Sequence, residues 1–306
     1  MAASADAGRF RSSRARLPTQ GRGEALLLLG PCAVYLAAFS IFPLITSLLR
    51  SFEDYNTQAD SWRWVGLQNY SQLIHSSEFW TVVENTVVLT AAGVAIQVVL
   101  GTSLALFFNQ RLRGATLVRG LVILPMLLTP VVVGLMWRAL LNPDWGMLNW
   151  LATQVGFHNV QWLTDPSMAL RTLILVDTWQ WTPFVFVVVF ARLQALPVDV
   201  FEAGEVDGAT WFKRLRYLTL PLLMPAIAFA AIFRGIDAFR TFDLVYGLTN
   251  GGPVRSTSTL SFQAFQNGFQ YFHYGYASAI AYVMVIVAIV GVTVMLRFVR
   301  VRREDI

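Results

Sequence analysis

The residues best placed to do chemistry in this chain are ionisable and aromatic side chains set inside apolar runs. In Phe233-Arg234-Gly235-Ile236-Asp237-Ala238-Phe239-Arg240-Thr241-Phe242-Asp243, arginine and aspartate alternate at every third residue. On a continuing helix that spacing stacks Arg234, Asp237, Arg240 and Asp243 along one face. Such a ladder either compensates its own charge or lines a polar path, because charge exposed to lipid is expensive. Asp177 is a second such group, followed by Trp179, Gln180, Trp181 and Pro183. Aromatic planes interleaved with hydrogen-bonding groups suit a sugar, whose ring has apolar faces and polar edges. The same residues also suit a second arrangement, in which the tryptophans pack and Asp177 pairs with an arginine on a neighbouring helix.

Other chemistries lack their parts. The single lysine, Lys213, follows Phe212, so no Walker A loop exists and ATP is not bound in that way. His75, His158 and His273 lie far apart without metal-ligand spacing, and no metal site is expected. Cys32 is alone in an apolar stretch, which excludes an internal disulfide. No G-x-S-x-G elbow is present. Whatever work this chain performs, its energy source is elsewhere.

The elements that must position these groups follow from composition. The chain has 306 residues, 56% hydrophobic and 13% charged, with a mean hydropathy of +0.54. A soluble domain carries about 25% charged residues, so a soluble enzyme is excluded, and a disordered chain with it. Six runs are long enough to cross a bilayer as helices: residues 25–49, 83–108, 117–140, 169–191, 218–239 and 277–299. The first is too long for a signal-peptide core and reads as an anchor. The fold class is therefore all-α, a polytopic membrane protein of six transmembrane helices. Residues 1–24, rich in Arg, Ser, Ala and Gly, read as a flexible basic cytoplasmic tail, and 25–306 as the membrane domain.

Charge placement sets the orientation. With the N-terminus inside, 16 of the 23 Lys and Arg residues fall on inner segments and seven on the outer side or outer membrane half. The positive-inside rule then puts both termini in the cytoplasm. Basic residues in short clusters between apolar runs argue against nucleic acid as a partner. Trp62, Trp64, Trp80, Trp137, Trp145, Trp150 and Trp162 fall on the outer side, where they form an aromatic belt or meet a partner. Residues 142–168 hold turn formers between apolar residues, which predicts a short interfacial helix in an ordered outer loop. Pro31, Pro43, Pro125, Pro130, Pro183, Pro221 and Pro225 predict kinks, and kinked helices around a cavity suit a transporter or channel.

The longest internal cytoplasmic loop, residues 197–216, divides into two short helical pieces. Asp199 is expected to cap the first piece, and Gly208 to end it, with a second starting at Thr210. Acids precede the break and bases follow it, while Phe201, Val206, Trp211 and Phe212 offer apolar anchors. The result is either a knuckle that docks in another protein's groove or an amphipathic connector on the membrane surface.

Here the sequence resembles a known family. Glu202-Ala203-Gly204, Asp207-Gly208-Ala209 and Leu220-Pro221 with Pro225 resemble the EAA loop of ABC importer permeases. Trp64-Val65-Gly66-Leu67-Gln68-Asn69-Tyr70 resembles an outer-loop motif of the carbohydrate permeases, and so does the stretch from Phe242-Asp243 to Gly251-Gly252-Pro253. The last motif is similar to that of the maltose- and glycerol-phosphate-permease branch. Gly204 departs from the family's second alanine, and the short loop of residues 50–81 leaves only the six-span core of a type I importer permease.

The resemblance implies a permease subunit of a bacterial carbohydrate importer in the inner membrane. It implies a second permease subunit in a heterodimer, an ATPase dimer that uses ATP and magnesium, and an extracytoplasmic solute-binding protein. It implies no catalysis and no bound cofactor in this chain. Glu202, Ala203, Gly204, Asp207, Gly208, Ala209, Trp211 and Phe212 would couple to the ATPase. The sugar would meet Asp177, Trp179, Gln180, Trp181, Arg234, Asp237, Arg240 and Asp243. A glycerol-3-phosphate importer is the rival within the family, since Arg234 and Arg240 would attract phosphate. A secondary transporter or channel would show inverted repeats or a charged relay, and neither is found.

Overall fold

The computed structural model describes residues 21–56, 61–110, 114–156 and 160–304. They fall into two units, one ending at Leu49 and the other beginning at Arg50. The first unit is a run of helix. Helix α1 (Gly21–Leu36) passes through a π-helical turn, Ala37–Ile41, into α2 (Phe42–Arg50), and it contains Pro31. Of the segment expected as a tail, residues 1–20 lie outside the described residues and Gly21–Glu24 form the first turn of α1. Leu29–Arg50 is apolar and long enough to cross a membrane.

The second unit opens with a hairpin of β1 (Glu53–Asn56) and β2 (Ser61–Trp64), antiparallel with Glu53 opposite Trp64. Then come α3 (Gln68–His75) and the long α4 (Ser77–Phe108), capped by the Ser76 hydroxyl, which accepts from the Phe79 amide. The third expected span is two pieces. Helix α5 (Ala115–Ile123) runs through a 3₁₀ turn, Leu124–Leu127, and then bends by 100° into α6 (Pro130–Leu140). The physical reason is in the sequence Pro125-Met126-Leu127-Leu128-Thr129-Pro130, because each proline lacks a donor and Pro130 forces Thr129 out of the helical region. The single run of residues 117–140 is therefore corrected to a broken span. Among the described residues, five helices are long and apolar enough to cross a membrane, and there are six crossings if the bent pair is counted as one.

The expected interfacial helix is α7 (Met147–Gln154). Helix α8 (Pro166–Gln194) is capped by Asp165, whose carboxylate accepts from the Ser167 amide at 2.7 Å. Hydrogen bonds from the Ser167 side chain and backbone hold the Asp165 carboxyl below its ordinary range. The loop pieces α9 (Val198–Val206) and α10 (Trp211–Arg214) follow, with a π-helical turn, Leu215–Thr219, leading into α11 (Leu220–Phe239). The chain then forms α12 (Asp243–Leu248), α13 (Leu260–Phe265), a π-helical turn Gln266–Gln270 and α14 (Tyr274–Glu304).

The centre of this unit is a trio of spans. Helix α4 runs along α8, and α11 packs on both. Phe108, Val185, Phe186, Val189, Leu193, Leu223 and Ala230 form one buried cluster towards the ends of α4 and α8 and the start of α11. Leu89, Val133, Leu173, Val176, Leu244, Val245 and Phe262 form a second, which α12 joins by crossing α6. Close approach depends on small residues. A Cβ on Gly101 would lie 2.6 Å from Val185 Cβ, and one on Gly134 would lie 2.8 Å from the Leu248 amide nitrogen.

The family-like outer motifs turn out to be fasteners. The Asn69 amide donates to the Ser51 and Glu53 carbonyls at 2.9 and 3.0 Å, tying α3 to the hairpin, and Tyr70 shares a hydrogen bond with Ser51. Gly275 lies so close beneath that a Cβ there would collide with the Glu53 carbonyl oxygen. The Gly-Gly-Pro loop is held by α4: Asn85 donates to the Arg255 and Ser258 carbonyls, and Thr86 accepts from the Leu260 amide. Glu78 pairs with Arg255 across the same junction.

We expect Gly101→Val to destabilise the chain by about 1–3 kcal/mol through overpacking against Val185. Thermal melting of the detergent-purified protein would show a lowered midpoint, with Gly120→Val, at a site where a Cβ meets nothing within 4 Å, as the control.

Candidate functional site

Two places carry the chemistry anticipated from sequence. The first is a polar node where α4, α8 and α11 meet. Asp177 on α8 is 1% exposed, Arg234 on α11 is 1% exposed and Gln97 on α4 is fully buried. The Gln97 amide nitrogen donates to Asp177 Oδ2 at 2.7 Å, and its carbonyl accepts from Arg234 Nε at 3.0 Å. Arg234 closes the ring with a donation from Nη2 to Asp177 Oδ2 at 3.2 Å. Its other terminal nitrogen pairs with Asp237, one turn further along α11. The Trp181 ring lies under the guanidinium, 4.6 Å from its carbon to the ring centre. Of the two arrangements left open for Asp177, the structure holds the ion pair.

The arginine–aspartate ladder is not continuous. Helix α11 ends at Phe239 with Arg240 as its C-cap, and Asp243 begins α12 beyond a break at Thr241-Phe242. Arg234 faces inward to Asp177, while Asp237, Arg240 and Asp243 are exposed. Four residues at a spacing of three therefore do not share one face here, because the helix that would align them stops.

Nor do the three residues after Thr178 form one patch. Successive helical residues point about 100° apart, so Trp179 and Trp181 look in nearly opposite directions. Trp179 is 37% exposed and meets Trp137 edge to face at 5.4 Å between ring centres. Gln180 is fully buried and donates to the Leu128 carbonyl at 3.0 Å. That carbonyl lies in the break between α5 and α6. Gln180 thus satisfies a backbone carbonyl that the break leaves without a helical partner.

Gln97 has no place in the sequence reading. The signal was available: Gly93, Gln97 and Gly101 repeat every fourth residue, a small–polar–small face suited to close helix contact.

The second place is the knuckle of α9 and α10. Helix α9 begins at Val198, with Pro197 rather than Asp199 at its cap, and Asp199 sits in the first turn without a capping bond. Gly208 has φ +71°, and two bonds finish the helix: Gly208 N–H to the Glu205 carbonyl at 3.0 Å and Ala209 N–H to the Gly204 carbonyl at 2.9 Å. This is a Schellman termination, for which a left-handed residue is required. Glu205 pairs with Arg214, binding the two halves together. Gly204 packs under Leu218, where a Cβ would lie 3.0 Å from the Leu218 methyl, so the departure from alanine permits a tight fold-back.

The outer face of the knuckle is open. Val206, Trp211 and Phe212 are 88%, 63% and 64% exposed, surrounded by exposed Glu202, Ala203, Asp207 and Gly208. Ala209 is half-buried on the inner side. Between the knuckle and the end of α4 lies a cleft of about 550 Å³ lined by Phe107, Asn109, Leu193, Phe201 and Trp211. Among the described residues, no cluster of His, Cys, Asp and Glu has metal-binding geometry.

Apolar helices of crossing length, a broken span satisfied from a neighbour and a polar node at membrane depth together describe a multi-pass membrane permease. More particularly, the chain belongs to the family of binding-protein-dependent transport system inner membrane components, whose family model matches residues 97–303. It is 34% identical over 278 residues to the trehalose/maltose transport system permease protein MalF of Thermococcus litoralis, covering 91% of this chain and 94% of that protein. It is also 34% identical over 262 residues to the trehalose transport system permease protein SugA of Mycobacterium tuberculosis, covering 85% and 83% of the two chains. In fold it is similar to a chain of a bacterial ABC transporter involved in the import of the acidic polysaccharide alginate. The TM-score is 0.81 at 23% identity, over 92% of this chain and 96% of that one.

Removing Arg234 leaves Asp177 buried without its counter-charge, a loss of about 3–5 kcal/mol for a buried pair. Arg234→Leu should therefore reduce the yield of monodisperse protein in size-exclusion chromatography far more than Arg240→Leu, which removes an exposed arginine.

Proposed function

We propose that this chain is one of two permease subunits of an ATP-driven importer that carries a mono- or oligosaccharide delivered by an extracytoplasmic solute-binding protein. ATP and magnesium are used by a separate ATPase dimer, and this chain holds no cofactor and catalyses no reaction. With the broken pair counted as one crossing, the chain crosses six times and both termini lie in the cytoplasm. The observation that carries the reading is the knuckle. Its exposed Val206, Trp211 and Phe212 form an apolar surface that the described residues leave open, on a loop that joins α8 directly to α11. Glu202, Ala203, Gly204, Asp207, Gly208 and Ala209 shape that surface for the ATPase. Its displacement tilts the two spans and opens the path alternately to either side.

The carbohydrate class is supported by the relatives named for trehalose, maltose and lactose. A phosphate cargo would have to rely on Arg240, because Arg234 already faces both Asp177 and Asp237. The residues with exposure left to meet a sugar are Trp181, Asp237, Arg240 and Asp243, with Trp179 beside Trp137. Asp177, Gln180 and Arg234 stand behind them.

The test is ATP hydrolysis by the complex reconstituted with its binding protein, with trehalose, maltose, lactose and glycerol 3-phosphate added in turn. A disaccharide should stimulate hydrolysis. Stimulation by glycerol 3-phosphate alone would remove the carbohydrate assignment. Gly208→Asp should abolish both import and stimulated hydrolysis with membrane insertion intact, because it strains a left-handed turn and adds charge to the docking face. Trp181→Ala should impair import while the complex still assembles; unchanged uptake kinetics would take Trp181 off the path.

A further inference from the structure

The two spans that leave the knuckle are joined again far from it. Asp177 stands 20 residues before Pro197, and Arg234 stands 20 residues after Arg214. Each arm is therefore roughly 30 Å long at the helical rise. The arms are equal, and their far ends are tied by the buried pair Asp177–Arg234. Gln97 inserts between them from α4 and bonds to both.

We propose that Gln97, Asp177 and Arg234 are a cross-brace that makes α8 and α11 move as one lever with α4, and that Gln97 is a positioning residue for coupling ATP hydrolysis to transport. The inference rests on the coupling role of the knuckle given above.

Three features support a brace rather than a simple stabilising contact. A buried ion pair is weak support for stability, since apolar residues of similar size often do as well. What it supplies is geometry. The guanidinium is held through Nε by Gln97, through Nη2 by Asp177, through Nη1 by Asp237 and across its face by Trp181. A planar fork so restrained cannot follow a rotation of α11 against α8 without losing bonds. The backbone contacts match. A Cβ on Gly93 would lie 3.2 Å from Asp177 Oδ2 and one on Gly101 2.6 Å from Val185 Cβ, each pair advancing by eight residues. Helices α4 and α8 are thus in register for about one turn on either side of Gln97. At the knuckle end the three helices still share a buried cluster, and a cleft of about 550 Å³ separates only the loop from α4. A loop with room to move, attached to helices packed along their length, is the layout of a lever.

The brace can be broken and rebuilt without changing its charge. Gln97→Leu removes the bonds from α4 to Asp177 and Arg234, and Asp177→Asn removes the carboxylate. The double exchange Gln97→Glu with Asp177→Asn puts the carboxylate on α4 and the amide on α8, which preserves the net charge and leaves Arg234 an oxygen acceptor on each helix. The readout is sugar imported per ATP hydrolysed by the complete complex in liposomes. Trehalose is the cargo, or maltose or lactose if the stimulation panel selects one of them.

Gln97→Leu should assemble and hydrolyse ATP while importing roughly tenfold less sugar per ATP, within the range by which mutations along a coupling element act. The exchange should restore the ratio. A Gln97→Leu complex with the wild-type ratio would overturn the brace, as would an exchange that assembles normally yet stays uncoupled. If Asp177→Asn fails to assemble, Gln97→Leu carries the test. Gly208→Asp is run beside them. A normal Gly208→Asp complex would instead count against the knuckle, so failure of either idea is told apart.

Discussion

Arg234 is the charge on which the arrangement of the other spans depends. A guanidinium cannot lose its proton in a protein, so at membrane depth it must be surrounded by acceptors or excluded. This chain surrounds it, with an acceptor from each of α4, α8 and its own helix and a tryptophan face from α8. Three spans are thereby fixed in rotation about their own axes. Apolar packing would not do this alone, because lipid tails compete equally with Leu and Val for a helix surface and leave rotation weakly specified. The glycines at positions 93 and 101 follow from the same requirement, since Gln97 can reach both partners only if α4 lies close to α8.

A second polar demand is met in the same region. The prolines at 125 and 130 break the third span and free the Leu128 carbonyl, which Gln180 satisfies from α8. Gln180 lies three residues beyond Asp177, so one stretch of α8 serves the ion pair on one side and the break on the other. That explains why α8 is the most deeply buried of the crossing helices. It also separates two kinds of polar residue in a membrane span: those required by the chain's own backbone and charge, and those left over to meet a cargo. Trp181 and Asp237 belong to the first kind through their contacts with Arg234, and both keep some exposure beyond them.

The fold was legible in the sequence to the extent that apolar length decides it. Five of the six expected runs are long helices, and the knuckle with Gly208 at its turn follows from glycine's access to positive φ. What was not legible has a common physical cause. Periodicity assumes that a helix continues, and the ladder from Arg234 to Asp243 and the run of residues 117–140 both fail where it stops. Proximity in sequence also does not assign a face. Trp179, Gln180 and Trp181 read as one sugar-facing patch, yet consecutive helical positions diverge, and each has a different neighbour. Gln97 escaped because a neutral amide is conspicuous only once its charged partners are known.

The residues that carry the family resemblance and the residues that would distinguish one cargo from another are largely different. Asn69 and Gly275 clamp the hairpin, and Asn85 and Thr86 hold the Gly-Gly-Pro loop. Gly208 ends a helix. All of these satisfy backbone groups or allow close approach, tasks that are the same whatever is transported. Cargo selectivity must come from side chains that make no such contact, and few remain once the fasteners are subtracted. On the proposed path, a change of cargo would need only a handful of altered exposed positions around Trp181 and Asp237. The brace, the break and the knuckle would remain as they are, provided that each replacement leaves Arg234 its acceptors.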